Sequence, residues 1–390
     1  MNLIVNTGSV SAKYSLYNTE QETFFGHFEI EKGQPIVTYF KGGRSATGVT
    51  THITNTQFQN SLSEFVAEAV AQDVIAAKAD IMKVAVRIVA PGTGFQADGV
   101  IDDAYIARLT EQKEEAPMHV PLALKEISII RSVLPQAQVI GISDSAYYRE
   151  VPDVARRYAI SKEVAEQYDV YHFGYHGISA ESIKDKVFAQ HGPISRLIVC
   201  HLGGGSSVIA IKDGKPIDTS MGYSPLQGLM SSTRSGDIDP VAVLYLKDKL
   251  GLDTEATEKF FNTQGGLVGI SKVSSDVRDL IEAETAGNAE AGFALAKFVN
   301  SIQKYIGAFA AELGGIDALV FSGTIGERSF IMRKRILEGL GFLGLSLDGA
   351  KNDASVAVEA EIQSVDSKAK ILIVRTDEMS EMAKRVQKIV

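Results

Sequence analysis

Two stretches of the sequence decide the fold. Residues 197–211 read LIVCHLGGGSSVIAI, and residues 3–17 read LIVNTGSVSAKYSLY. In both, an apolar run leads into a turn rich in glycine and hydroxyl side chains, and a second run with alternating apolar residues follows. This order predicts a β-hairpin. Because the two copies begin at residues 3 and 197 of a 390-residue chain, the sequence predicts a duplicated unit.

The turns of the two hairpins are suited to binding a phosphate. Glycine leaves the backbone N–H groups open to a ligand, and successive N–H groups form an anion-binding concavity. Two-lobed ATPases of the actin-like kind hold the phosphates of a nucleotide with a duplicated hairpin of this type. Two ordinary hairpins with glycine turns are the alternative interpretation.

Short β-branched runs alternate with helical patterns along the rest of the chain. The pattern predicts further strands and helices, which are strands at 84–89, 139–142, 318–321 and 371–374 and helices at 62–77, 121–133, 240–250 and 288–313. Alternation of this kind is typical of sheets covered by helices. The helix at 288–313 is long and apolar enough for either a core or an interface.

The duplication predicts two lobes of unequal length. We expect an N-terminal lobe at 1–146, with a C-terminal helix at 379–390 that packs back on it. A C-terminal, nucleotide-binding lobe is expected at 147–378. No low-complexity linker separates the two in the sequence, and the junction is expected within 143–159.

The composition excludes several classes of protein. The net charge is −9 at pH 7, which argues against a general nucleic-acid-binding protein, because such a protein needs a basic face. The single cysteine, Cys200, permits neither an internal disulfide nor a cysteine-based metal site. We expect no signal peptide and no membrane-spanning segment. These features predict a cytoplasmic α/β protein that binds neither nucleic acid nor membrane.

Two charged residues interrupt or follow predicted strands. Arg87 lies within the apolar strand 84–89, where a guanidinium must be paired or face a polar cleft. A strand-end arginine that reaches solvent is the alternative. Asp144 follows the strand 139–142, which is a common position for a ligand or metal contact in α/β proteins. It could equally cap the helix that follows.

Several loops carry polar residues that could serve a site or only the local fold. His176 lies in GYHG, and Arg234 lies in TRSGDIDP at 233–240, whose two aspartates could simply cap the next helix. Residues 318–327 read ALVFSGTIGE, a strand, glycine loop and helix start that is typical of anion sites. Acidic residues at 377 and 378 are expected at the start of the last helix for capping alone.

Common catalytic motifs are absent from the sequence. The turn 203–205 is followed by the alternating run 208–211 and not by a helix, which excludes a dinucleotide-binding Rossmann motif. There is also no Walker A lysine motif and no Gly-x-Ser-x-Gly elbow of the serine hydrolases.

Taken together and in order, several segments resemble the acetate kinase family of acyl-phosphate-forming phosphotransferases. They are NTGSVSAK (6–13), APMH (116–119), GYHG (174–177), HLG (201–203), DTSMG (218–222), TRSGDIDP (233–240), IGE (325–327) and DE (377–378). They extend from one end of the chain to the other, although 18–83 carries no motif. The resemblance implies a two-domain actin-like ATPase fold, which is a duplicated ribonuclease H-like α/β architecture with a cleft between the lobes.

The resemblance also implies roles for residues at the centre of phosphoryl transfer. Arg87 and Arg234 would clamp the phosphoryl group in flight and the substrate carboxylate. His176 would donate a hydrogen bond to the transferred phosphate, and Asn6 would lie beside it.

Further roles concern the metal and the two substrates. Asn6, Asp144 and Glu378 would hold Mg²⁺ (or Mn²⁺). The family's small apolar pocket for the acyl chain falls on Val89, Met118, Tyr175 and Pro225, beside Arg87. The family's contacts to ATP or ADP fall on Lys13, His201, Gly203, Gly204, Gly205, Asp276, Val277, Arg278, Thr324, Gly326 and Arg328.

The chain departs from the family pattern on the donor side and the substrate side. Gly204 stands where the family has asparagine. Thr324 and Arg328 stand where it has glycine and asparagine, which could narrow the nucleoside pocket and add charge. Tyr175 replaces phenylalanine at the acyl pocket, and Ala180 replaces a histidine. These differences leave both the phosphoryl donor and the acyl preference open.

The function implied by the resemblance is a reversible, Mg²⁺-dependent, in-line transfer from ATP to a short-chain carboxylate, acetate being the expected one. No general base is required, because a carboxylic acid is already ionised at neutral pH. The family also implies a homodimer. Two alternatives stay open: the same chemistry with a donor such as pyrophosphate, and a non-catalytic nucleotide- or metabolite-sensing module.

Overall fold

The chain forms two units, which are seen in a computed structural model that describes residues 1–8, 11–31 and 33–389. The first unit comprises Met1–Ala146 and the C-terminal segment from Asp377, and the second comprises Tyr147–Thr376. Ser9 and Val10, in the first predicted turn, lie outside the described residues.

The sheet of the first unit is built around the first predicted hairpin. Its strands are β1 (Asn2–Thr7), β2 (Ser11–Asn18), β3 (Gln21–Glu31), β4 (Gln34–Lys41), β5 (Val49–His52), β6 (Lys83–Ile88), β7 (Gly99–Val100) and β8 (Gln138–Ser143). They pair in the order β5-β4-β3-β2-β1-β6-β8-β7. β1 pairs antiparallel with β2 and parallel with β6, which in turn pairs parallel with β8.

The sheet of the second unit is built around the second hairpin. Its strands are β9 (Arg196–Leu202), β10 (Ser206–Lys212), β11 (Lys215–Thr219), β12 (Ala318–Ser322), β13 (Ala360–Glu361) and β14 (Lys370–Ile373). They pair in the order β11-β10-β9-β12-β14-β13. β9 pairs antiparallel with β10 and parallel with β12, which pairs parallel with β14.

The two sheets therefore repeat one arrangement, a hairpin beside two parallel strands with a short antiparallel strand at the edge. The predicted duplication of the hairpin is confirmed. Parallel neighbours end at the same edge of a sheet, where α/β proteins bind their ligands. In the first unit this edge receives Asn6 from β1, Arg87 from β6 and Asp144 directly after β8.

Helices cover both sheets. In chain order they are α1 (Asn55–Gln59), α2 (Ser61–Ala71), α3 (Asp103–Glu111), α4 (Val120–Val133), α5 (Asp153–Arg156), α6 (Lys162–Tyr168), α7 (Gly177–His191), α8 (Pro240–Leu250), α9 (Thr254–Thr263), α10 (Gly266–Ser271), α11 (Val277–Thr285), α12 (Ala289–Leu313), α13 (Gly323–Arg328), α14 (Phe330–Leu337), α15 (Gly349–Ala354) and α16 (Glu378–Gln387). Among the described residues, none of these helices combines the length and the apolar character needed to cross a membrane.

Two of the predicted helices need comment. α12, predicted at 288–313, lies in the core of the second unit with Phe298, Ile302 and Ile306 fully buried. The helix is expected to serve either a core or an interface, and the structure shows it in the core. The prediction of a helix at 62–77 is wrong in its length, because α2 ends at Ala71 and Asp73 has a left-handed backbone with φ of 55°, which a continuing α-helix does not contain.

The C-terminal helix belongs to the first unit. α16 packs against β1, β6 and β8 with Met379, Met382 and Val386 buried. Its first residue, Glu378, therefore lies at the edge of the sheet where Asn6 also lies.

Candidate active site

Asn6 and Glu378 are in direct contact in the first unit. The Asn6 amide Nδ2 donates a hydrogen bond of 2.7 Å to Glu378 Oε2. Glu378 is the first residue of α16, and the preceding Asp377 caps this helix by accepting a bond from the backbone N–H of Ser380 at 3.1 Å. The capping interpretation of this acidic pair is thus correct for Asp377, while Glu378 turns toward β1.

Arg87 and Asp144 form an ion pair at the same edge. Arg87 Nη2 lies 2.9 Å from Asp144 Oδ2, and the Asp144 side chain has no exposed surface. Burial opposes the charge on Arg87, but the carboxylates of Asp144 and Glu378 outweigh it and raise the pKa of Arg87 above its usual range. Arg87 is therefore a paired strand residue, and the alternative of a strand-end arginine in solvent is wrong.

One donor of Arg87 remains available to a ligand. Its Nε atom is buried and finds no acceptor among the described residues. A buried N–H without a partner costs free energy, so an anion that accepted from it would offset that cost. An oxygen of a carboxylate or a phosphate is suited to this geometry, because both accept from planar guanidinium donors.

The first unit also offers oxygen atoms suited to magnesium. Asp144, Glu378 and the amide of Asn6 supply carboxylate and carbonyl oxygens, the hard donors that Mg²⁺ prefers. In the described part of the chain, no three His, Cys, Asp or Glu side chains are arranged to enclose a metal. Mg²⁺ usually keeps several waters and binds through one or two carboxylates and substrate phosphates, so this open donor set fits it.

His176 is fixed in an unusual backbone conformation in the second unit. It precedes α7 with φ of 62° and ψ of 25°, in the left-handed region, where non-glycine residues are uncommon and point to a constrained site. Its Nδ1 atom lies 3.0 Å from the hydroxyl of Ser207 on β10. Its ring lies against that of His201 on β9, with centroids 4.8 Å apart.

The glycine-rich turn of the second hairpin brings Arg234 to His176. A Cβ atom placed on Gly205 would lie 3.1 Å from Arg234 Nη1 and 3.4 Å from His176 Nε2. A side chain at this position would therefore displace Arg234. The same turn is tied to the loop of Arg234, because the Ser232 N–H donates to the Gly204 carbonyl at 3.3 Å.

The loop that carries Arg234 is closed by a neighbouring acid. Asp237 accepts a bond from the Gly228 N–H at 2.9 Å and another from the Tyr305 hydroxyl at 2.6 Å. Asp239 caps α8 by accepting from the backbone of Val241 at 2.7 Å. The capping interpretation of the two aspartates is therefore correct for Asp239 and wrong for Asp237, which holds the loop closed.

A cavity of about 740 Å³ lies beside the glycine-rich turn in the second unit. Its lining includes these predicted nucleotide-site residues: Gly203, Gly204, Asp276, Val277, Arg278, Thr324 and Arg328. Much of the remaining wall is apolar and comes from Ile281, Ile325, Phe330, Ile331 and Val356. Pockets of this size with apolar walls and a few polar groups are typical of small-molecule sites.

Other predicted nucleotide-site residues lie outside the cavity lining. The His201 ring lies against that of His176, and a Cβ atom on Gly205 would meet His176 as well. Gly326 is buried, and its carbonyl accepts a bond from Arg333 at 2.9 Å. Lys13 lies in the first unit, opposite Asn6 in the pairing of β1 with β2.

The four predicted acyl-pocket residues are divided between the units. Val89 and Met118 belong to the first unit, and Tyr175 and Pro225 belong to the second. Met118 is 42% exposed, while Tyr175 is 1% exposed. The Tyr175 hydroxyl donates a bond of 2.7 Å to the Tyr223 carbonyl.

Sequence reasoning missed residues that hold these groups in place. Arg44 Nη2 donates to Asp377 at 2.8 Å, and Arg44 Nε donates to Glu22 at 2.9 Å. In the second unit, Arg333 and Ser207 were also missed. Ser207 could have been found from its place in the GGGSS turn, but nothing in the local sequence around Arg44 marks it.

Comparisons with known proteins agree over the full length of the chain. A model of the acetokinase family matches residues 1–384. The acetate kinase of Acetivibrio thermocellus is 34% identical, with 100% of this chain and 98% of that protein aligned. The acetate kinase of Bacteroides thetaiotaomicron is 35% identical over 96% of each.

Solved structures of the same kind match the fold. The crystal structure of Porphyromonas gingivalis acetate kinase aligns with a TM-score of 0.84 and 30% identity, over 100% of this chain and 99% of the other. A propionate kinase from Francisella tularensis aligns with a TM-score of 0.87 and 28% identity, over 100% and 99%. The expected two-domain actin-like ATPase fold is confirmed, and the chain belongs to the acetokinase family.

Proposed function

We propose that this chain transfers the γ-phosphoryl group of ATP to acetate, or to a close short-chain carboxylate, with Mg²⁺, and that it runs the reaction in both directions. The names of the matched proteins, acetate kinases and a propionate kinase, support this class of acceptor. The observation that carries the proposal is the GGG turn, where Gly203 and Gly204 line the cavity and Gly205 lies so near Arg234 and His176 that a Cβ atom on it would meet both. A donor in the cavity would thus direct its phosphates toward a guanidinium and an imidazole.

The chemistry needs charge neutralisation and no proton transfer. A carboxylate oxygen forms a bond to the γ-phosphorus, and the bond from that phosphorus to the bridging oxygen of the ADP leaving group breaks. The acceptor is already ionised at neutral pH. The obstacle is the repulsion between two anions, which fixed cationic donors reduce most in the transition state.

We assign the neutralising groups to both units. Arg234 and His176 would hold oxygens of the transferred phosphoryl group. Arg87, with its available Nε donor, would hold the substrate carboxylate. Bound through Asp144 and Glu378, Mg²⁺ would supply further neutralisation of the donor phosphates.

The cavity beside the glycine-rich turn favours a nucleotide as the phosphoryl donor. Its volume of about 740 Å³ and its apolar wall residues, such as Ile281 and Ile325, suit a nucleoside, which pyrophosphate lacks. Thr324 and Arg328 line this cavity without closing it. The phosphoryl donor is tested by measuring turnover with ATP and with pyrophosphate, in the wild type and in Thr324→Gly. If Thr324 had switched the chain from ATP to pyrophosphate, the glycine variant would gain turnover with ATP.

A matrix of carboxylates and donors tests the whole proposal. Each acyl phosphate is trapped with hydroxylamine, and the resulting hydroxamate is measured. We expect the highest signal for acetate with ATP and Mg²⁺, and a loss of about 10²- to 10³-fold in kcat for Arg234→Ala. Calorimetric binding of nucleotide without hydroxamate for any carboxylate would instead support a sensing module.

We also propose that two copies of the chain associate through α8. Val241, Leu244 and Tyr245 lie at helical spacing on this helix and are 70%, 61% and 60% exposed. No residue of α8 is buried within the described chain. A second copy would remove this apolar stripe from water. Light scattering should give a dimer for the wild type and a monomer for Leu244→Lys, and a monomeric wild type would contradict the proposal.

A further inference from the structure

Arg333 is the largest fully buried side chain among the described residues, and it carries a charge. It lies on α14 and has no exposed surface. Within the described chain it forms no ion pair, and an isolated buried guanidinium is costly unless its hydrogen bonds are satisfied. The fold can therefore tolerate this side chain only if the N–H groups of its guanidinium have acceptors.

Each of the five N–H groups of the guanidinium is matched by an oxygen acceptor. Nε donates to Asn352 Oδ1 at 2.8 Å. Nη1 donates to the carbonyls of Gly326 at 2.9 Å and Glu327 at 3.1 Å. Nη2 donates to the carbonyls of Asn352 at 2.9 Å and Ser355 at 2.6 Å. All the acceptors are neutral, and all but one are backbone carbonyls.

These acceptors belong to segments that form one wall of the cavity. Gly326 and Glu327 lie in α13, which contributes Thr324, Ile325 and Arg328 to the lining. Ser355 follows α15 and directly precedes Val356, another lining residue. The Glu327 carbonyl also accepts from the Ala357 N–H at 3.0 Å, which ties the two segments together beside Arg333.

We propose that Arg333 is a positioning residue for the donor nucleotide: by binding the carbonyls of α13 and of the segment after α15, it fixes the wall against which the nucleoside lies. The inference rests on the proposed function, because it assigns the cavity to the donor. Arg333 does not line the cavity itself and acts through Thr324, Ile325, Arg328 and Val356.

Lysine cannot reproduce this network. Its ammonium has three N–H donors on one nitrogen, whereas the guanidinium holds five in a planar fork. Burial lowers the pKa of Arg333 to about 10, and Asp353 opposes this shift, so the side chain stays charged at neutral pH with every N–H in place. Arg333→Lys would leave buried carbonyls without a donor, and the two segments would be held together less firmly, with the Ala357–Glu327 backbone bond remaining.

The test is nucleotide affinity in Arg333→Lys, measured by calorimetry with ADP. We expect the dissociation constant for ADP and the KM for ATP to rise about tenfold, while the KM for acetate stays within about twofold of the wild type. Asn352→Ala removes the side-chain acceptor of Arg333 Nε. It should likewise weaken ADP binding and raise the KM for ATP while the KM for acetate stays near the wild-type value. It serves where Arg333→Lys fails to fold.

The control is Lys334→Met, which removes a charge from an exposed position on the same helix and should leave all three values unchanged. A purely structural arginine would lower the unfolding temperature and leave ADP affinity and the ratio of the two KM values at wild-type levels, and that result would overturn the inference. Failure of the wild type to bind ADP at all would instead overturn the proposed function, so the two failures are distinguishable.

Discussion

The side-chain amide of Asn6 donates a hydrogen bond of 2.7 Å to Glu378, although 372 residues separate the two in the chain. The bond joins β1 to the first residue of α16. About two turns further along α16, Arg385 donates to the carboxylate of Asp98 at 2.8 Å and to the carbonyl of Ser143 at 2.9 Å. Both ends of the C-terminal helix are thus fixed beside the residues proposed to hold magnesium.

Glu378→Gln tests the metal assignment. The glutamine keeps the shape of the side chain but lacks the charge that we assign to Mg²⁺. We expect the Mg²⁺ concentration for half-maximal hydroxamate formation to rise about 10- to 100-fold, with little change in thermal unfolding. Glu290→Gln is the matched control, because Glu290 also lies in the first turn of a helix, α12, but is exposed. An unchanged Mg²⁺ requirement in Glu378→Gln would contradict the assignment.

Arg87→Ala tests the cationic clamp. Removing one charged donor aimed at the transition state is expected to lower kcat about 10²- to 10³-fold. The variant also leaves the buried Asp144 carboxylate without its ion-pair partner, so we expect a loss of stability of about 3 kcal/mol. Arg131→Ala breaks the ion pair with Asp103, which is 95% exposed, and should cost less than about 1 kcal/mol with normal turnover. Near-normal kcat in Arg87→Ala would show that the clamp is wrongly assigned.

Local patterns in the sequence were sufficient for the framework of the fold. Both hairpins follow from alternating apolar residues around a glycine-rich turn, and Arg87 and Asp144 stand out because charge is unusual at the ends of apolar strands. Once β6 and β8 are parallel neighbours, their ends must meet at one edge. The ion pair between these two residues follows from that arrangement.

Contacts between distant residues could not be predicted in the same way. Arg44 and Asp377 are 333 residues apart, and Arg44 lies in a stretch that carries no motif. Arg333 reads in the sequence as one cation in an ordinary helix, MRKRIL, followed by two further basic residues, Lys334 and Arg335. Only the fold shows that Arg333 is buried among carbonyls, whereas Lys334 is exposed and Arg335 pairs with Glu284.

Gly205→Ala tests how closely Arg234 and His176 must be placed. The added methyl group would lie 3.1 Å from Arg234 Nη1 and 3.4 Å from His176 Nε2, so Arg234 must move by a few tenths of an ångström, while His176 comes into van der Waals contact with the methyl group. Small displacements of catalytic groups reduce rates steeply, and we expect kcat to fall about tenfold. Gly204→Ala, in the same turn, has open space around the new methyl group and should lose distinctly less activity. If the two alanine variants lost the same activity, the cause would be a stiffer turn and not the contact of the new methyl group with Arg234 and His176.

A pair of acids in the second unit links stability to pH. Asp218 on β11 lies beside Glu312 on α12, and burial together with the Glu312 carboxylate raises the pKa of Asp218 to about 7. Burial also raises the pKa of Glu312. In the unfolded chain an aspartate titrates near pH 4. Between about pH 4 and pH 7 the folded protein therefore retains a proton that the unfolded chain has lost, and its stability must fall as the pH rises through this window.

Asp218→Asn removes this dependence, because the amide resembles the protonated acid and can donate to Glu312 at any pH. We expect the free energy of unfolding of the wild type, measured in urea, to decline from pH 5 to pH 8, and that of Asp218→Asn to remain nearly level. At pH 8 the variant should be more stable than the wild type by about 1 kcal/mol. This free energy corresponds to less than one pKa unit, because solvent screens part of the interaction between the two acids. Glu290→Gln should follow the wild-type profile. A wild-type stability that is level across this range would mean that the two acids do not share a proton in the folded chain.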